Sequence, residues 1–216
     1  MAHRNTGGHN LSEPPSSASA QSVLDPAPDG HGRRLCVFCG SSPGINPAYA
    51  DSARRLGQAI GEKGYTLVFG GGNVGLMGEV ARAARAAGAP IIGVLPVFLR
   101  GIEPPLKSAE ELIITPDLQL RKSRMLALAD AFVILPGGLG TFDEYFEVLT
   151  TTQLRAHAKP IVVIDIANYF APLRELLDRV VAQGFARAEI ATYHAFVATP
   201  DEAMQKISSL LASHAA

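Results

Sequence analysis

The chain has 216 residues, of which 47% are hydrophobic and 18% charged, with a formal net charge of −1. It is long enough to bury one sizeable core and too apolar to be a disordered chain. The balanced charge excludes the basic excess expected of a nucleic-acid or acidic-membrane binder, and the longest apolar runs, such as "AFVILP" at 131–136, are far too short to cross a bilayer.

Residues 1–33 contain "SEPPSSASAQ" and "DPAPDGHG" and lack apolar periodicity, which predicts a disordered tail ahead of one domain over 34–216. The tail lacks a basic start followed by an apolar run, so no secretory signal is expected. His3, His9 and His31 lie in it, too scattered for a metal site, and no metal is expected anywhere in the chain.

From Leu35 onward the pattern alternates. Six short apolar runs read as strands: "LCVFC", "TLVFG", "IIGVL", "ELIIT", "AFVILP" and "IVVID". Helical stretches are predicted at about 47–62, 75–87, 117–129, 140–155, 169–182 and 200–212. Strands apolar on both faces that alternate with helices predict an α/β, Rossmann-like doubly wound parallel sheet with helices on both faces.

Cys36 and Cys39 form a C-x-x-C spacing inside the first strand, "LCVFCG". A zinc site needs two further ligands at sensible spacing, and none is offered. Two buried structural thiols are the simpler reading. They suit a reducing cytosol, and a cytoplasmic protein is expected.

In open parallel sheets, ligands bind at the carboxyl ends of the strands. Three such ends here carry glycine-rich loops: "CGSSPG" (39–44), "GGGNVGLMG" (70–78) and "PGGLGT" (136–141). Together they can build a floor of backbone N–H groups. The second fits G-x-G-x-x-G at Gly70, Gly72 and Gly75, but the acidic residue a dinucleotide wants about 20 positions on is missing from 89–98. Tight helix–strand packing explains those glycines as well, and no cofactor is expected.

The third loop points to a phosphate. Gly137, Gly138 and Gly140 let the backbone curl its N–H groups inward, and Thr141 adds a hydroxyl at a helix entrance. It lacks the lysine of a P-loop, which disfavours triphosphate hydrolysis. The following helix is predicted to bury Phe142, Phe146 and Leu149, leaving Asp143, Glu144 and Glu147 off that stripe. A first-turn carboxylate can simply complement the helix dipole. With a sugar phosphate in the loop, Glu144 would stand about one turn from the sugar. "RKSRM" (121–125) opens another helix at the same edge, and Arg121 is the cation expected to enter the site.

"CVFCGSSPG", "GGGNVGLMG", "RKSRM" and "PGGLGTFDEYFEVLTTTQL" occur in the order and spacing of the Lonely Guy family, the cytokinin riboside 5′-monophosphate phosphoribohydrolases, which the chain resembles from about Leu35 onward. The resemblance implies a homodimer that cleaves the N-glycosidic bond of a purine nucleoside 5′-monophosphate to free base and ribose 5-phosphate. Arg121 and Glu144 match the family's catalytic pair. The wider set expected to bind substrate or phosphate is Gly40, Ser41, Ser42, Gly71, Gly72, Glu79, Glu103, Lys122, Gly137, Gly138, Gly140 and Thr141. One departure is Leu120, where the family often has Glu before the Arg-Lys pair. Similar proteins have been labelled lysine decarboxylases, yet none of the five lysines stands in an obvious Schiff-base setting.

The residues support a mechanism. Glu144 can stabilise an oxocarbenium-like sugar or activate water. Arg121 stays charged and so pins substrate or assists the departing base by hydrogen bonding. Water or Glu79 would protonate that base. A non-catalytic nucleotide or pterin-type carrier on the same fold would use the loops identically without needing Glu144.

Overall fold

The computed structural model describes residues 32–101, 106 and 109–213. The tail expectation for residues 1–31, and Glu103, lie outside those residues. In chain order the elements are β1 (Arg34–Phe38), α1 (Pro47–Glu62), β2 (Thr66–Phe69), α2 (Gly75–Ala86), β3 (Ile91–Pro96), β4 (Glu111–Thr115), α3 (Leu118–Leu128), β5 (Ala131–Ile134), α4 (Leu139–Gln153), β6 (Ile161–Ile164), α5 (Ala171–Ala182), β7 (Ala195–Val197) and α6 (Pro200–Ser213).

The strands make one parallel sheet in the order β4-β3-β2-β1-β5-β6-β7. Strand alternation splits the core in two. Leu35, Val37 and Cys39, with Ala131, Val133 and Leu135, face α1, α2 and α6. Cys36 and Phe38, with Phe132 and Ile134, face α3, α4 and α5. Helices therefore cover both faces, as the apolar strands require. The two cysteines are buried free thiols in opposite core layers.

Local signals set the helix ends. Asn46 caps α1, its Oδ1 accepting from the Ala48 N–H at 3.0 Å, with Pro47 in the first turn. Asp117 caps α3 through the Leu120 N–H at 2.8 Å. The strand β7 is an addition to the six expected: it has three residues, all half-buried at the sheet edge, too few for a period-2 pattern. The helix expected from 169 begins at Ala171, because Ile166–Asn168 form a tight turn in which Ala167 and Asn168 take φ of 51° and 59°.

Candidate active site

From β1 the chain winds outward one way through β2, β3 and β4, then crosses to the other side of β1 as β5. Strand order reverses at that point, and a crevice opens beyond the carboxyl ends of β1 and β5. The first and third glycine loops leave those two ends.

Gly40 ties all three loops together. Its N–H donates to the Pro136 carbonyl at 3.1 Å, and its carbonyl accepts from the N–H groups of Leu76 and Met77 at 3.0 and 3.3 Å. The N-terminal amides of α2 are thus occupied by the chain's own carbonyl. Those two amides are therefore not free to hold a pyrophosphate. The N-terminus of α4 differs: among the described residues no carbonyl of another loop bonds to its first amides, and side chains built at Gly138 and Gly140 would project into open space. Gly137 must lack a side chain, since one would collide with the Thr141 hydroxyl and the Gly40 N–H.

A cavity of about 180 Å³ lies against this helix start, lined by Gly138, Gly140, Thr141 and Glu144 on one side and by Arg121 and Gly70 on the other. Arg121 comes from the first turn of α3. Its Nε donates to the Val94 carbonyl within β3 at 3.2 Å and its Nη2 to the Gly70 carbonyl just past β2 at 3.3 Å. Its Nη1 stands 4.0 Å from Oε1 of Glu144, with side chains 10% and 11% exposed. Gly70 has no room for a side chain, because the guanidinium fills that space. Cys39 also lines the cavity. Burial first, and the Glu144 carboxylate second, push its thiol up, so it stays protonated rather than serving as a nucleophile.

A second cavity of about 270 Å³ adjoins the first across Gly40, Ser41 and Gly138, and is lined further by Ser42, Tyr49 and Tyr169. Together the two fall in the ~300–1,000 Å³ range usual for ligand pockets. A larger cavity of about 790 Å³ lies at the opposite, amino edge, beside Lys159, His157 and His194, away from every glycine loop.

The structure therefore gathers Arg121, Glu144, Gly40, Ser41, Ser42, Gly137, Gly138, Gly140 and Thr141 around one crevice. Four expected residues stand elsewhere. Glu79 pairs with Arg54 at 2.9 Å and Arg82 at 2.7 Å. The bond from Arg54 leads the effects that hold its carboxyl below the usual value, so it stays ionised and is unsuited to donate a proton. Lys122 turns to Asp143 (2.9 Å) and Glu147 (2.7 Å). Burial opposes its charge, but those two carboxylates outweigh it and raise its pKa. Gly71, at φ 80°, packs beside Leu95 and Leu112, and its carbonyl accepts from the Leu106 N–H at 3.0 Å. Gly72 is buried and lines neither cavity.

The core stripe of α4 is Thr141, Tyr145, Val148 and Leu149, while Phe142 and Phe146 are only partly buried. The stripe is rotated by about one position from the expected one, which puts Thr141 and Glu144, at i and i+3, on the same side of the helix. Gly70 and Tyr169 were not expected in the site. Tyr169 follows β6, and only the strand order reveals that β6 lies beside β5.

A family model described as possible lysine decarboxylase matches residues 77–207. The chain is 38% identical over 198 residues to a probable cytokinin riboside 5′-monophosphate phosphoribohydrolase of Oryza sativa subsp. japonica, covering 92% of this chain and 88% of the relative. It is 41% identical over 153 residues to a cytokinin riboside 5′-monophosphate phosphoribohydrolase of Arabidopsis thaliana, covering 71% and 70%. Among solved structures, the molybdenum cofactor binding protein of Rippkaea orientalis superposes with a TM-score of 0.66 at 22% identity, covering 83% of this chain and 97% of that one, and so shares the fold.

Proposed function

The chain belongs to the Lonely Guy family of cytokinin riboside 5′-monophosphate phosphoribohydrolases, and we propose on that premise that it hydrolyses the N-glycosidic bond of a purine nucleoside 5′-monophosphate, releasing free base and ribose 5-phosphate. One observation carries the reading to particular residues: the uncapped N-terminus of α4 opens into the same cavity as Arg121 and Glu144. The N–H groups there and the partial positive charge of the helix end suit a phosphate dianion. Holding the phosphate fixes the ribose against Glu144, and such orientation can lower a barrier by up to ~7–11 kcal/mol.

As the glycosidic bond breaks, positive charge develops on the sugar. Glu144 opposes that charge or takes the proton of the attacking water. Arg121, clamped by two carbonyls, stays cationic and pins the substrate or hydrogen-bonds the departing base. With Glu79 ionised between two arginines, water protonates the base.

The protein acts in the cytoplasm as a homodimer in this reading. The α4 segment is the candidate contact, with Leu139 and the adjoining Leu154 exposing large apolar side chains at its two ends. Light scattering at micromolar concentration tests this, and a monomer of about 22.8 kDa would refute it. The activity is tested by incubating the full chain with AMP, isopentenyladenosine monophosphate and adenosine and following free base by chromatography. Base should appear from the nucleotides and far less from adenosine. Release from none of them would overturn the hydrolase, and equal release from adenosine would overturn the phosphate site.

A further inference from the structure

The turn after β6 is built at a conformational cost. Ala167 and Asn168 are consecutive non-glycine residues with positive φ. Such a backbone costs on the order of 1–2 kcal/mol per residue and persists only where its surroundings hold it. Here Asp165 holds it. Its carboxylate accepts from the Phe170 N–H at 2.8 Å and from Arg174 at 2.7 Å, while its own N–H donates to Val197 at 2.8 Å. Phe170, 1% exposed, anchors the exit of the turn.

The turn delivers Tyr169 to the carboxyl edge. Its ring lies edge-on to Tyr49 of α1 at 5.7 Å and stacks on Phe142 of α4 at 6.4 Å. Its hydroxyl donates to the Gly137 carbonyl at 2.5 Å. The Gly137 carbonyl and the Gly138 N–H belong to one trans peptide, in which the two groups point in opposite directions. Tyr169 lines the 270 Å³ cavity and is absent from the lining of the 180 Å³ one, whereas Gly138 lines both. Drawing the carbonyl toward Tyr169 therefore turns the Gly138 N–H the other way, toward the cavity of Arg121 and Glu144. A peptide between two glycines would otherwise rotate with little steric resistance.

We propose that Tyr169 is a positioning residue: its hydroxyl locks the Gly137–Gly138 peptide so that the Gly138 N–H faces the 5′-phosphate. The proposal rests on the phosphate-loop reading above. It places the specificity for phosphate partly in a residue on a different strand end from the loop itself, presented by a strained turn.

Tyr169→Phe keeps the ring and removes only the hydroxyl. The lost bond is expected to weaken phosphate holding about three- to tenfold. The KM for isopentenyladenosine monophosphate should rise by that factor with kcat within twofold, because a ground-state contact is lost. Affinity for ribose 5-phosphate, measured by calorimetry, should fall by the same factor, while the melting temperature stays within about 2 °C. Parental KM and parental ribose 5-phosphate affinity would overturn the proposal. So would a fall in kcat at constant KM, or a large drop in melting temperature with both constants changed. The calorimetric arm needs no turnover. An inactive parent that still binds ribose 5-phosphate refutes the hydrolase reading alone, and a parent that does not bind it refutes the phosphate loop.

Discussion

Arg121 Nη1 and Glu144 Oε1 stand 4.0 Å apart, both side chains nearly buried, each brought by a different helix to the floor of one crevice. The separation exceeds a direct hydrogen bond, and the guanidinium is fixed by the carbonyls of Val94 in β3 and Gly70 just past β2. A cation and an anion held from separate elements around one cavity can address opposite sides of a substrate without collapsing onto each other.

Glu144→Gln keeps the size and much of the hydrogen bonding of Glu144 but removes its charge. Turnover of the nucleotide should fall by a factor of ~10²–10⁴. Nucleotide affinity should stay within about threefold if, as proposed, the start of α4 holds the phosphate. Steady-state kinetics with calorimetric binding checks both. Parental turnover would refute the role of Glu144 and favour a carrier that uses the loops without catalysis.

Gly70→Ala tests the placement of Arg121 without touching either charged residue. The added methyl meets the guanidinium and the Met77 sulfur. Arg121 must then leave the Gly70 carbonyl, and a displaced pinning group should cost about 10²-fold in kcat/KM, since small misplacements near the chemistry carry costs of that order. Circular dichroism should show an intact fold, so an unchanged kcat/KM would mean that the guanidinium is not needed where it stands.

The parallel sheet was legible because every strand from β1 to β6 is a short apolar run, and α1, α2 and α5 because each carries a clear apolar stripe, whereas α3 and α4 are only weakly amphipathic. The strand β7 was not legible, since "AFV" is too short to carry a pattern. The glycine loops and the pair Arg121–Glu144 were legible by spacing. What no spacing reveals is the hydrogen bonding that separates the two helix starts: the Gly40 carbonyl occupies the first amides of α2, and no other loop's carbonyl does so for α4 among the described residues. Glu79 and Lys122 face other partners than the crevice for a related reason. Helix position says that a charge is near an edge, but their partners Arg54, Arg82, Asp143 and Glu147 decide where it points.

Asp143→Asn removes one of the two carboxylates on Lys122, at a side chain 61% exposed. Exposed ion pairs contribute about 0–1 kcal/mol, and Glu147 still pairs with Lys122. Activity should stay within twofold and the denaturation midpoint should shift only slightly. A loss like that of Glu144→Gln would show that Lys122 must be held for catalysis.

The last prediction concerns acid sensitivity. Burial, and then the charge of Lys159, hold the pKa of His157 below its usual value, and burial does the same for His194. The hydrogen bonds agree for His157. Its Nδ1 accepts from the Lys159 N–H at 3.2 Å, so that nitrogen carries no proton. Its Nε2 lies 3.0 Å from the Thr151 hydroxyl, which itself donates to the Glu147 carbonyl at 2.7 Å, so Nε2–H is the donor. Protonating Nδ1 would break this chain. The Nδ1 of His194 is buried without a partner among the described residues, between the rings of Tyr145 and Phe196. Both imidazoles are therefore neutral when folded and protonate more readily when unfolded. Below the unfolded value of about 6.5 the unfolded chain binds more protons, so stability must fall as pH drops through that value. Carboxylates held low, such as Glu79 and Asp201, add to the loss only nearer their own lower unfolded values. Urea melts at pH 7.5 and 5.5 should therefore show a lower midpoint at 5.5, and His157→Gln should shrink the difference. A midpoint that is flat or rises toward pH 5.5 would refute the neutral, buried assignment of these two histidines.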